Sequence, residues 1–369
     1  PWNEGLLAPV TIVTREGSIC DAKFPAPVGA ATVEAVWVAK NALSAALAKL
    51  KACTPGLGEE VQAVSAGTMA TVNLGGTDQY GKRFGIHLMD PMMSGFGAYS
   101  GKDGFEVGGS YSTTIPNVAN VESNEFLSPM LYLHRRIEPD TAGAGQWRGG
   151  MAASMAFTAY GVHETEALIM THGLEVPNTS GAFGGYPGSC VRQRLMRGSD
   201  LGERHRAGQL PMEIAELQGA VETFGAKPGL MALHPGDVFE TAWQGGGGLG
   251  DPLDRDPEAV ALDCTMQHHT SAFAERVYGV VLDASGGVNQ SATHALRDRM
   301  RQDRLADAQP PRTPAIHRAE HAGALLGGRL QLASVAGKTW FACTCGQSLA
   351  PRNGNWREGA ARRVLSTNE

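Results

Sequence analysis

Several short stretches of this chain gather side chains that could do chemistry. The densest is Asn117-Val-Ala-Asn120-Val-Glu122-Ser-Asn124-Glu125, where amides and carboxylates crowd together. Such groups are costly to bury unpaired, so they are solvated, paired with one another, or used. As a strand the segment would put Asn120, Glu122 and Asn124 on one face. It reads either as a hydrogen-bonded turn or as a pocket wall in which Asn120 and Glu122 are the candidate catalytic groups. Just before it, a glycine-rich run from Gly95 to Gly104 contains Asp103, a candidate substrate contact.

A second stretch, Glu138-Pro-Asp140 to Gln146-Trp-Arg148-Gly-Gly150, offers a guanidinium beside tight glycines. Arg makes planar bidentate contacts, so Arg148 suits either an ion pair with Asp140 or a ligand carboxylate. A third, Thr171-His172-Gly-Leu-Glu175-Val-Pro177-Asn178, sets an imidazole beside a carboxylate and an amide. His172 is the candidate acid–base group, Glu175 its orienting partner and Asn178 a substrate contact. A satisfied structural histidine at a strand end is the competing reading. Near the C-terminus, Cys343-Thr-Cys345-Gly346 places two thiols close together. A structural zinc needs four ligands, and no third or fourth Cys or His follows Cys345. Either a partner completes a zinc site or these are reduced thiols. His87 and Asp90 supply only two ligands, so no catalytic metal is assigned to this chain. Nor is there a phosphate-loop Gly-Lys-Ser/Thr, a Gly-x-Ser-x-Gly elbow or a nicotinamide fingerprint, so nucleotide binding is not expected here.

The elements that must hold these groups are mostly strands. Residues 9–14 read as a strand, as do stretches around 61–65, 71–74, 83–88, 129–136, 153–160 and 166–171. A helix over 29–52 shows Val33, Val36, Trp37, Leu43, Leu47 and Leu50 at helical spacing, which predicts one apolar face. Helices return at 256–266, with Asp256 as N-cap before Pro257, and at 271–278. Residues 243–250 read Trp-Gln-Gly-Gly-Gly-Gly-Leu-Gly, a backbone-defined turn where another chain or a ligand could approach the main chain. The fold class expected is α+β: a large mixed or antiparallel sheet core, a few helices and a small cysteine-containing C-terminal tail. Residues 1–283 form the main region, 284–320 a linker with one helix near 292–307, and 321–369 the tail.

Composition narrows the role. With 369 residues the chain can bury a large core. A net charge of −6 with interspersed signs gives nucleic-acid binding no electrostatic support. No apolar run is long enough to span a membrane. The six cysteines are scattered, which fits a reduced, cytoplasmic setting.

The order Gly245-Gly-Gly-Gly-x-Gly250-Asp-Pro-Leu-x-Arg255-Asp-Pro-Glu258-x-Val260, followed by Tyr278-Gly-Val280, resembles the C-terminal part of the hydantoinase B / oxoprolinase family. The segments Asn120 to Glu125 and Gly143 to Gly150 are similar to family signatures, and His172 with Pro177-Asn178 resembles the carboxylase-type members. The Cys343–Trp356 tail resembles the first knuckle of a small zinc ribbon in acetophenone-carboxylase-type subunits. Asn3-x-Gly5-x-x-x-Pro9-Val10 resembles a motif midway along the family's usual chain, which implies that an N-terminal portion is absent here, either separately encoded on a partner chain, cleaved off or lost. The resemblance implies a subunit of an ATP-dependent complex that carboxylates a ketone through a phosphorylated enol. A cyclic-amide hydrolase of the hydantoinase or oxoprolinase type is the alternative, and a non-catalytic assembly subunit a third. It further implies ATP and Mg on a hydantoinase A-like partner subunit, a divalent catalytic metal on the absent N-terminal portion, and a small-molecule substrate. The isolated chain would then be inactive.

Overall fold

The computed structural model describes residue 5 and residues 8–29, 35–65, 70–109, 118–313, 317–327 and 329–363. Asn3, Val33 and Asn117 lie outside the described residues. The fold is mixed α+β, with three antiparallel sheets. In the first, β1 (Thr71–Thr77) pairs on one side with β2 (Arg83–Leu88) and on the other with β5 (Thr165–Met170), which pairs with β8 (Gly229–Leu233). The second runs in the order β3 (Met130–Ile137), β4 (Ala153–Ala159), β9 (Val238–Ala242), β6 (Arg192–Arg197), β7 (Ala220–Glu222). The third is a meander of β10 (His321–Gly327), β11 (Leu330–Val335), β12 (Lys338–Cys343) and β13 (Ser348–Pro351).

Strand periodicity sorts the core. On β4, Met155 and Phe157 join one apolar cluster with Val72, Leu74 and Ile169 of the first sheet and Phe239 of β9. Between them in sequence, Ala156 joins a different cluster with Met196, Val238 and Leu201. Side chains alternate across a sheet, so β4 is covered on both faces, and every one of its residues is buried. Phe157 and Phe239 meet edge to face at 5.6 Å between ring centres.

Among the described residues six α-helices lie on these sheets and their connecting loops: α1 (Ala35–Ala52), α2 (Val121–Leu127), α3 (Leu201–Arg206), α4 (Pro257–Thr265), α5 (Ser271–Tyr278) and α6 (Gln290–Ala306). Asp256 caps α4 by accepting from the Glu258 amide, as its sequence position predicts. Gly279 closes α5 at φ 62°, the left-handed conformation that glycine adopts without a steric cost. Helix α6 is docked: buried Arg297 donates to the carbonyls of Tyr278 (2.9 Å) and Arg255 (2.8 Å), and Arg304 pairs with Asp251 at 2.9 Å.

Three local expectations fail. Residues 9–14 belong to no strand. Val10, Ile12 and Val13 are exposed there and have no neighbouring strand to complete a ladder. Residues 61–65 make only an isolated bridge, Gln62 with Tyr99. Helix α1 buries Trp37, Asn41 and Ala48, whereas Val36, Leu43, Leu47 and Leu50 face outward. The inward side is chosen by a polar contact, because the Asn41 amide donates to the Asn178 carbonyl at 3.3 Å.

Candidate functional site

Main chain meets main chain around Gly245–Gly250. The Gly246 amide donates to the Gly150 carbonyl at 3.0 Å, and the Gly247 amide to the Val64 carbonyl at 2.9 Å. Gly95 and Gly143 return the pattern, donating to the carbonyls of Gln244 (3.1 Å) and Gly246 (2.8 Å). A Cβ on Gly246 would sit 1.8 Å from the Phe96 carbonyl oxygen, and one on Gly247 2.2 Å from that of Ser180. The close approach expected at this segment is therefore made by the chain's own loops: 95–105, 143–150, 180–188 and 245–250 interlock as a hub. Side-chain bulk is absent because the backbones fill the space.

His172 lies beside this hub, just past the end of β5. Gln244, fully buried, donates from Nε2 to the Gly173 carbonyl at 2.9 Å and accepts at Oε1 from the Asn178 amide at 3.1 Å. A Cβ on Gly173, whose φ is +79°, would fall 1.9 Å from Gln244 Nε2. The side-chain amide of Asn178 in turn lies against Nδ1 of His172. With that amide donating, Nδ1 is the acceptor and the ring proton of the neutral tautomer sits on Nε2. Asn178 thus takes the orienting role expected of Glu175, whose side chain is exposed. Helix α1 covers the loop through the Asn41 contact, and Lys40 stands 3.6 Å from the centre of the Trp37 ring. Burial pushes the Lys40 amine down to about 7.

Asp103 and Arg148 belong to a separate buried charge cluster. Arg148 reaches Asp263 at 2.9 Å and Glu106 at 2.7 Å, and its guanidinium contacts Nδ1 of His268 at 2.9 Å. Arg255 holds both oxygens of Asp103 at 2.7 Å and Asp263 at 2.8 Å. Burial raises the Asp263 carboxyl, but Arg148 and Arg255 more than offset it and leave it below the usual carboxylate range. The Asp140 partner expected for Arg148 instead accepts from Thr270, at 2.9 Å from its amide and 2.7 Å from its hydroxyl. These pairs tie α4 to the hub, and Arg148 and Asp103 also meet directly, the Arg148 backbone amide donating to the Asp103 carboxylate at 2.8 Å with the guanidinium 3.9 Å away.

Asn120 and Glu122 begin a helix, α2 (Val121–Leu127), not a strand. The Asn120 side chain caps it by accepting from the Glu122 amide at 2.8 Å, and the Glu122 side chain is exposed. Asn124 turns inward and donates to the Tyr132 hydroxyl at 2.8 Å. That hydroxyl and Arg135 both lie 3.3 Å from the fully buried Asp90 carboxylate. Burial pushes the Asp90 carboxyl up, against the pull of Arg135. Asn120 and Arg135 also line a cavity of about 430 Å³ beside the β3 edge. Sequence reasoning gave no role to Gln244, Asp263, Arg255 or Tyr132. Two of them had a local signal: Gln244 is a polar residue directly before four glycines, and Arg255 stands within the glycine-rich motif.

Among the described residues no group of three or more His, Cys, Asp or Glu is placed to hold a metal. Cys343 and Cys345 supply two thiols, and this set does not by itself fit a structural zinc. No helix among the described residues is long and apolar enough to cross a membrane.

The sequence model of the hydantoinase B/oxoprolinase family matches residues 1–252. The chain belongs to that family. It is 28% identical over 275 residues to the acetone carboxylase alpha subunit of Xanthobacter autotrophicus, covering 68% of this chain and 34% of that one. It is also 28% identical over 301 residues to the caprolactamase subunit beta of Pseudomonas jessenii, covering 80% of this chain and 48% of the relative. This hydantoinase B/oxoprolinase chain therefore spans between a third and a half of the length of these curated relatives. A nucleotide-free acetone carboxylase structure superposes with a TM-score of 0.63 at 28% identity, covering 69% of this chain and 36% of that chain. The ATP-dependent caprolactamase structure, at 23% identity and a TM-score of 0.54 over 66% of this chain and 39% of that one, shares the fold.

Proposed function

We propose that this chain is a subunit of an ATP-dependent carboxylase that acts on a ketone. The similarity to acetone carboxylase, in sequence and in superposed fold, carries the reading. In this scheme the ketone loses an α-proton and phosphoryl transfer from ATP on a partner subunit traps its enol oxygen as the enol phosphate; the α-carbon then adds to CO2 formed by dehydration of bicarbonate, while water takes up the phosphoryl group as phosphate and the carbonyl re-forms. A stable ketone needs this, because its enol is scarcely populated unless it is trapped. His172 is the residue of this chain suited to move a proton, with Asn178 fixing its ring and Gln244 fixing Asn178. Asn120 and Glu122 act as a capped helix start at the mouth of the cavity lined by Arg135. ATP and Mg belong to a hydantoinase A-like partner, because no phosphate loop occurs in this sequence.

Reconstitution with candidate partner subunits tests the proposal. Bicarbonate-dependent ATP hydrolysis in the presence of a ketone, lost in His172→Ala, is the expected outcome. The caprolactamase and hydantoinase relatives support a second reading, ATP-dependent opening of a cyclic amide. Turnover of a lactam or hydantoin without bicarbonate would select it. Full activity after replacing Asn120, Glu122 and His172 by Ala would assign the chain to assembly alone.

A further inference from the structure

A cavity of about 1170 Å³ lies between the C-terminal sheet, α1 and the loop at 180–184. That is ample for an organic molecule of ordinary size. Its walls are apolar: Ala48 of α1, Val64, and Leu330, Phe341, Leu349 and Trp356 of the C-terminal region. Lys49, Arg329 and Arg357 join the lining. Not one of the described residues lining it is Asp or Glu, although the chain as a whole carries a net charge of −6. Arg329 is partly committed, because it pairs with Asp254 at 2.9 Å. Lys49, in the last turn of α1, and Arg357, whose guanidinium stands 5.6 Å from the Trp356 ring centre, complete the cationic set.

We propose that this cavity is a binding site for a carboxylate with an apolar body, such as a medium-chain acyl or aryl acid. An apolar chamber with a one-signed lining suits an amphipathic anion: the hydrocarbon gains from leaving water, and the head group meets Lys49 and Arg357. A neutral ligand of the same size would leave these cations without a counter-charge. His172 is not among its lining residues, the site touches the hub only along Val64 and the 180–184 loop, and it does not depend on the reaction proposed above. Its occupant would bridge the C-terminal sheet and the core.

The cavity carries its own reporters. Cys53, Cys343 and Cys345 line it, whereas exposed Cys20 is not among the lining residues and serves as an internal control. The Gln347 backbone and the Cys343 thiol hold the Cys345 thiol below its ordinary range, so it is readily alkylated. The experiment follows iodoacetamide labelling of each cysteine in the full chain with decanoate or decanol, below micelle-forming concentrations. Decanoate should slow labelling of Cys343 and Cys345 and leave Cys20 unchanged. Decanol should need about tenfold more for the same protection, and Lys49→Gln with Arg357→Gln should weaken decanoate by about tenfold while leaving decanol unchanged. Both residues are exposed, so the double variant should keep its fold. Labelling unaffected by decanoate would overturn the proposal. So would equal protection by decanol, or decanoate binding indifferent to the loss of both charges.

Discussion

Gln244 and Gly247 divide the work at the hub: one fills a buried space with hydrogen bonds, the other leaves room for a neighbouring main chain. Gly247→Val would drive its side chain into the Ser180 carbonyl, an atom that cannot move without moving the loop. Little or no folded protein is expected, read by circular dichroism and soluble yield. Gly202→Ala, with nothing within 4 Å of the added carbon, should change stability by no more than about 0.5 kcal/mol. Charge at Asp263 gives a pH-dependent counterpart. Its folded-state carboxyl is depressed, so its contribution is complete above the ordinary carboxylate range and is lost as pH falls through the lowered value. Thermal melts should therefore stay flat from neutral pH down to that range and then drop. Asp263→Asn should lower stability at neutral pH by about 3 kcal/mol and show a shallower acid decline, because Arg148 and Arg255 lose a shared partner. Residue types could single out His172 and the glycines as candidates. They could not announce Asp263 as the partner of Arg148, because the two are brought together by tertiary packing rather than by any local spacing.

Among the elements, α2 shows where periodicity misleads. A run of Asn, Glu and Asn at alternate positions reads equally well as one face of a strand or as a cap followed by a helical turn. Tertiary contacts decide, since Asn124 and Glu125 both grip Tyr132. The Asn120 cap makes a prediction that separates scaffold from chemistry. Asn120→Ala should cost about 1 kcal/mol, and Asn120→Ser should recover it. If activity in the reconstituted complex follows the same pattern, Asn120 works through the cap; if Ser restores stability but not turnover, its amide touches the substrate. Helix α4 was legible from its cap, and α5 and α6 were placed to within two residues of their observed ends. The strand expected over 9–14 was not found, because β-branching states only that a strand is permitted and says nothing about whether a neighbour exists to pair with it. The outward apolar stripe of α1 was misassigned for a related reason: helical spacing identifies a face but not which face the core will choose.

At the scale of the whole molecule, large apolar side chains stand open along the N-terminal third. Phe24 is 98% exposed, Val13 87% and Ile19 83%, with Leu43 and Leu50 of α1 also exposed. Isolated exposed apolar groups are ordinary, but this many together suit a surface covered in a complex. A partner subunit of the proposed complex is the expected cover, with an interface above about 2,000 Å². Sedimentation velocity should show the isolated chain associating or inactive, and a stable, active monomer would remove the need for that partner.

The hub also sets a timetable. Its hydrogen bonds join Val64 to Gly247 and Gly95 to Gln244, so segments from the first and last parts of this region must all be present before any loop can settle. During synthesis the β1–β2 hairpin can pair as soon as it emerges, whereas the glycine loops stay open until residue 250 has left the ribosome. Closing such distant contacts late is slow and leaves strand edges bare in the meantime. A nascent chain stalled just short of Gln244 should therefore remain bound by chaperones and sensitive to protease. One stalled far enough beyond Gly250 to clear the exit tunnel should acquire protection across all four loops at once.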